Sequence, residues 1–141
     1  PIRLDGQEGH VAAVTIDDGR RLPCEFVVLG VGVRLNVDLA RAAGLAMSPD
    51  KGIVANRFLQ SSVPNIYLAG DVASYEDVTF GQGHLRVEHW DTALRHGMVA
   101  GANMAGEQRA YDSLPYFFSL LFGLYIQVWG SMTAWDQVVA T

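Results

Sequence analysis

The stretch Asn65-Ile66-Tyr67-Leu68-Ala69-Gly70-Asp71-Val72-Ala73 constrains this chain most, because it reads as a short buried strand closed by a glycine and a carboxylate. Asn65 to Ala69 is expected to form the strand. Gly70 lets the backbone turn tightly and approach whatever lies beyond the strand end. Asp71 then places a carboxylate at the C-terminal edge of a sheet, where open α/β folds keep their ligands. A carboxylate is an acceptor, so it suits sugar-type hydroxyls better than phosphate. Seventeen residues after Asp71 the chain reads Glu88-His89-Trp90-Asp91. There the apolar spacing of Val87, Trp90, Leu94, Met98 and Ala102 predicts a helix from near Glu88 to Ala105, ended by Gly106.

That helix carries a ridge of small residues, Ala93, Gly97, Gly101 and Ala105. Interior glycines destabilise a helix by ~1 kcal/mol each relative to alanine, so the ridge implies close approach to another backbone or a cofactor, or simple close packing on a sheet. Upstream, Val11 to Ile16 reads as a strand, Asp17-Asp18-Gly19 as a turn, and Arg20 to Leu22 as the return. Phe26-Val27-Val28-Leu29 is a continuous apolar run of the kind found in strands covered on both faces, and Gly30-Val31-Gly32 ends it with exposed amides. Asn36 is expected to cap a short helix from Val37 to Ala43 that Gly44 stops. Gly52 to Ala55 is a further strand. A loop of about fifteen residues is expected after Asp71, by the lack of periodicity there. Leu124 to Trp129 and Gln137 to Ala140 read as neighbouring strands, the former buried, and the composition shifts between Glu107 and Leu114.

With 141 residues, half of them apolar, the chain can bury a core of one-domain size. A net charge of −5 without a basic run longer than Arg20-Arg21 excludes nucleic-acid binding. The single Cys24 excludes an internal disulfide or C-x-x-C pair, reads as a small core hydrophobe, and fits a reducing, cytoplasmic compartment. The apolar stretch 116–132 is shorter than the ~20 residues a spanning helix needs. No G-x-G-x-x-G loop is present, since Gly30-Val31-Gly32 lacks the third glycine and Gly81-Gln82-Gly83 follows no strand. With Pro1 as the first residue, the expectation is a piece of a longer protein whose phosphate-gripping halves lie upstream.

Four stretches in collinear order carry a resemblance: Phe26 to Asn36, Gly52 to Ala73, Arg86 to Gly106, and Pro115 to Gly130. Together they resemble the FAD-dependent pyridine nucleotide-disulfide oxidoreductase superfamily, in its ferredoxin-reductase-like and apoptosis-inducing-factor-like branch. The resemblance implies an α/β fold made of the end of a Rossmann-like NAD(P)-binding domain (1–50), the returning part of an FAD-binding domain (51–110), and the incomplete start of a small α+β C-terminal interface domain (111–141). It implies FAD and NAD(P)H as cofactors. Gly70 and Asp71 would meet the ribityl chain, His89 and Trp90 the pyrimidine edge of the flavin, Glu88 and His89 the nicotinamide, and Gly32 the NAD(P)H backbone contact. Phe118 aligns with an aromatic, commonly Trp, that packs against the flavin; here the indole donor is missing, and Leu120 stands where an Asp is usual.

Each of these residues also has an ordinary structural reading. His89 could be a cap or surface residue, and Trp90, Phe117 and Phe118 could be core. His10, His84 and His96 have no ligand spacing, so no metal site is expected, and Ser61 and Ser62 have no matched base. The implied activity is hydride transfer from nicotinamide to flavin, with electrons passed to ferredoxin, rubredoxin or a quinone. A catalytically silent flavoprotein fragment with a binding role and a disulfide reductase remain the alternatives.

Overall fold

The computed structural model describes residues 2–131 and Val139, and the chain divides into two compact units, 1–34 and 35–141. The first is a three-stranded antiparallel meander of β1 (Arg3–Gln7), β2 (His10–Thr15) and β3 (Arg21–Pro23). The hairpin from β2 to β3 turns where expected. Gly19 sits at φ +83° and the Arg20 amide donates to Asp18 Oδ1 at 3.0 Å. Asp5 pins the meander, accepting from Arg3 Nε at 2.6 Å and Thr15 Oγ1 at 2.8 Å. The strand expected at Phe26 to Leu29 does not form. Among the described residues no strand pairs with this run, and Phe26 and Val28 stand 76% and 84% exposed instead of covered.

The second unit begins with α1 (Asp38–Ala42), whose N-cap is Val37 without a side-chain cap bond, so Asn36 does not cap it. Gly44 ends it at φ +74°, as the αL stop predicts. A three-stranded mixed sheet follows: β4 (Ile53–Ala55) runs parallel to β5 (Ala73–Asp77), and β5 pairs antiparallel with β6 (Gly83–Leu85). Here the expected order reverses. Asn65 turns in the left-handed region at φ +69°, and 66–69 is extended with one isolated bridge, Gln60↔Tyr67. The sheet strand comes after Gly70-Asp71, inside the segment expected to be loop. Its sequence looks polar, yet it is buried, and Ser74 and Asp77 find hydrogen-bond partners there. Ser74 Oγ pairs with Ser48 Oγ at 3.1 Å, and Asp77 accepts the amides of Thr79, Phe80 and Gln82. Asp71 therefore precedes a strand rather than ending one.

The long helix is α2 (Trp90–Met104), but the face it buries is not the apolar stripe. Thr92, His96, Val99, Ala100 and Asn103 point inward, whereas Trp90, Leu94 and Met98 are exposed. Small and hydrogen-bonded side chains let the helix sit close. Asn103 Nδ2 donates to the carbonyls of Phe58 and Arg109, and its Oδ1 accepts the Arg109 amide, all at 2.8 Å. The small-residue ridge is not a contact along its length. A Cβ at Gly97 or Gly101 would meet nothing within 4 Å, and only Ala93 approaches another segment, at Gly70. Around α2 and the sheet the core gathers Leu59, Leu68, Ala73, Tyr75, Val99 and Tyr111.

The unit closes with the hairpin β7 (Tyr116–Leu121) and β8 (Leu124–Trp129), in register from Tyr116↔Trp129 to Leu121↔Leu124. Phe122 at φ +49° and Gly123 at φ +83° make its turn. β8 lies where expected but is largely exposed, not buried. Of the strand expected at 137–140 only Val139 is among the described residues. No helix among the described residues is long and apolar enough to cross a membrane.

Two substitutions test this packing in urea denaturation. Gly97→Ala and Gly101→Ala should each stabilise the fold by roughly 0.5–1 kcal/mol, since they add helix propensity in open space. Asn103→Ala should destabilise it by about 2–3 kcal/mol, because it strips partners from three backbone groups.

Candidate functional site

The Gly70-Asp71 pair forms a 3₁₀ turn (Gly70–Val72) between the extended segment and β5. Gly70 is buried at φ +74°, a conformation that suits glycine, and a Cβ there would stand 3.4 Å from Ala93 Cβ. Its amide donates to Nδ1 of His96 on α2 at 3.2 Å. The Asp71 side chain is exposed, and among the described residues its carboxylate has no hydrogen-bond partner. Its backbone carbonyl accepts from Arg86 Nη1 at 3.3 Å.

Arg86 is the hub that sequence reasoning missed as a site residue. The same Nη1 donates to Glu88 Oε1 at 2.5 Å, and Nε donates to Asp50 Oδ2 at 3.2 Å. The Glu88 hydrogen bond, aided by the charges of Glu88 and Asp50, holds the guanidinium above its ordinary pKa. Its stem crosses Gly52, where a Cβ would fall 2.8 Å from Arg86 Cδ. One cation thus joins the Asp71 backbone to Glu88 at the entry to α2. An arginine flanked in sequence by Leu85 and Val87 gave no signal of this by itself.

The first turn of α2 and strand β7 enclose a groove of about 450 Å³ lined by Glu88, His89, Trp90, Asp91, Tyr116, Phe117 and Phe118. His89 is the N-cap residue, with extended backbone and no side-chain cap bond; its ring stacks on Phe117 at 4.4 Å and 27°. Trp90 and Phe118 are exposed beside it. The free amides of a helix N-terminus supply donors and partial positive charge at this end. Four of the seven expected site residues (Glu88, His89, Trp90 and Phe118) therefore share one groove. Gly70 and Asp71 are tied to the same helix entry through His96 and Arg86. Gly32 lies in the first unit, exposed at φ +82°.

His96, which has no metal-ligand spacing in the sequence, takes a buried hydrogen-bonding role instead. It is wholly buried, and burial pushes its pKa down to about 4, so the ring is neutral. A polar stripe of Thr92, His96 and Asn103 at helical spacing was the available signal.

This geometry offers an unpaired carboxylate, amide donors at a helix end and a groove with flat aromatic walls. No G-x-G-x-x-G loop is present to grip a pyrophosphate.

The sequence profile of the family described as "Pyridine nucleotide-disulphide oxidoreductase" matches residues 2–97, and this family uses FAD and NAD(P)H. The chain is 38% identical over 125 residues to the peroxisomal monodehydroascorbate reductase 1 of Oryza sativa subsp. japonica, covering 86% of the chain and 26% of that protein. It is similar to the crystal structure of a ferredoxin reductase from Rhodopseudomonas palustris, with a TM-score of 0.82 and 37% identity, over 96% of the chain and 33% of that structure. The covalent putidaredoxin reductase–putidaredoxin complex gives a TM-score of 0.82 at 29% identity, over 95% of the chain and 32% of the matched protein. The chain thus spans about a quarter to a third of the length of these relatives.

The neutral, buried His96 predicts a pH effect. The unfolded chain takes up a proton near pH 6.5, whereas the folded chain does so only at about 4. Stability from this group is therefore complete above pH 6.5 and is lost progressively as pH falls toward 4. Urea denaturation across that window should show a shallower pH slope for His96→Leu than for wild type.

Proposed function

Because the chain belongs to the pyridine nucleotide-disulphide oxidoreductase family, we propose that it forms the flavin- and nicotinamide-facing part of an FAD-dependent NAD(P)H oxidoreductase. In this reading residues 1–50 complete the NAD(P)H domain, 51–110 return to the FAD domain, and 111–141 begin the small interface domain. The observation that carries it is the meeting of two segments, Glu88-His89-Trp90 at the start of α2 and Phe118 on β7, in one groove at a helix N-terminus.

When bound, FAD supplies the hydride acceptor and the onward electron carrier. The residues of this chain supply position and electrostatics. Asp71 accepts a ribityl hydroxyl, and its exposed carboxylate leaves both oxygens available. The amides at the start of α2, beside His89 and Trp90, favour negative charge gathered at the ring edge. Glu88, fixed by Arg86, faces the nicotinamide, and the Gly32 backbone meets NAD(P)H. Phe118 and the His89–Phe117 stack keep water from the ring. No residue has to act as a general acid or base for hydride transfer to the flavin.

The acceptor we favour is a ferredoxin-type protein. Support comes from the similarity to a ferredoxin reductase and to a reductase captured with putidaredoxin.

In the full-length protein, Asp71→Ala should weaken FAD binding ten- to a hundredfold, the effect of losing a charge-assisted hydrogen bond of ~1.5–3 kcal/mol. The fold should persist. Equilibrium dialysis followed by flavin absorbance decides the matter: a variant that keeps stoichiometric FAD as wild type does would rule out Asp71 as the ribityl contact.

A further inference from the structure

The Gly70 amide points into the protein, and its acceptor is a histidine nitrogen rather than a backbone carbonyl. To accept, Nδ1 must carry its lone pair, so the single ring proton lies on Nε2. Usually a second hydrogen bond on the other nitrogen sets that tautomer. Here Nε2 is buried without a hydrogen-bond partner among the described residues. The Gly70 donor itself sets the tautomer, and packing fixes the orientation of the ring. Tyr75 and Tyr111 each meet the imidazole edge-on, with centroids at 4.7 and 4.4 Å and interplanar angles of 83° and 82°. The two tyrosine rings also meet each other at 5.1 Å and 85°. Three mutually perpendicular rings thus confine the imidazole between them.

We propose that His96 is the positioning residue of the Gly70-Asp71 turn: its clamped Nδ1 holds the Gly70 amide and so fixes the Asp71 carboxylate for a ribityl hydroxyl. The role rests on the reading of Asp71 as a flavin contact. Two further contacts fit it. Ala93, one turn before His96 on the same helix, underlies Gly70 at the distance a Cβ would just touch, and Arg86 secures the Asp71 carbonyl from the other side. His96 also belongs to the helix whose first turn lines the aromatic groove, so one rigid element carries both the carboxylate turn and the groove wall.

The test uses the full-length flavoprotein and a pair of near-isosteric variants. His96→Asn can place Oδ1 near the position of Nδ1, whereas His96→Leu cannot accept a hydrogen bond; both lose the imidazole's ring contacts. His96→Leu should raise the FAD dissociation constant roughly tenfold and speed hydrogen exchange of the Gly70 amide, and His96→Asn should recover most of both. Equal FAD affinity and equal Gly70 exchange in the two variants, whether like wild type or equally impaired, would overturn the proposal. If neither variant folds, the nitrogen-15 shifts of His96 in the wild type decide. A bare Nδ1 with a slowly exchanging Gly70 amide supports the role, and a protonated Nδ1 refutes it. Asp71→Ala, measured alongside, separates the two ideas. If it binds FAD as tightly as wild type, the flavin reading fails and takes the positioning role with it. If it weakens FAD while the Asn and Leu variants behave alike, only His96 is misassigned.

Discussion

The arrangement of the second unit turns on how α2 is seated. It does not dock through a wide apolar stripe, the usual means by which helices earn their place in a core. It docks through hydrogen-bonded and small residues: His96 under Gly70, Asn103 spanning the Phe58 and Arg109 carbonyls, and Ala93 against the glycine turn. Such contacts are directional, so they set the rotation and height of the helix more narrowly than apolar packing does. A shift of one residue along the helix would strand several buried polar groups together, each worth ~1–3 kcal/mol.

Electrostatics then join the parts of the site that the backbone brings near. Arg86 sits between Asp50, Glu88 and the Asp71 carbonyl, with its stem laid over Gly52. A planar guanidinium can serve several acceptors at fixed angles, which a lysine ammonium does less specifically. The glutamate facing the groove is thereby held, while the Asp71 carboxylate stays open to an incoming donor. The anchoring falls to Arg86, and the Asp71 carboxylate is the group left free.

The apolar surface follows the same division. Trp90, Leu94 and Met98 on α2, and Phe118, Leu120 and Phe122 on the hairpin, are exposed, as are Phe26, Val28 and Val31 in the first unit. The chain covers about a third of the solved structures it resembles, so much of the surface such a fold would bury against lies in other parts of those proteins.

Local features were legible in the sequence because short-range chemistry decides them. The β2–β3 turn at Asp17-Asp18-Gly19, the αL stop at Gly44, strands β4 and β8, and the helix beginning at Glu88-His89-Trp90 all appear close to where residue type and spacing put them. The family, too, was readable from four collinear stretches, and residues 2–97 match its profile. What only the tertiary structure decided was which face of each element is buried. The polar run Ala73–Asp77 pairs with β4 and β6, with Ser74 and Asp77 bonded to Ser48 and the loop amides, whereas the apolar run Phe26 to Leu29 has no pairing strand among the described residues. His96 and Arg86 were invisible as site residues because their roles depend on partners 15 to 36 residues away, one of them a backbone carbonyl that sequence does not single out. Burial follows from whether a group finds a partner in three dimensions, and hydropathy along the chain carries no record of that partner.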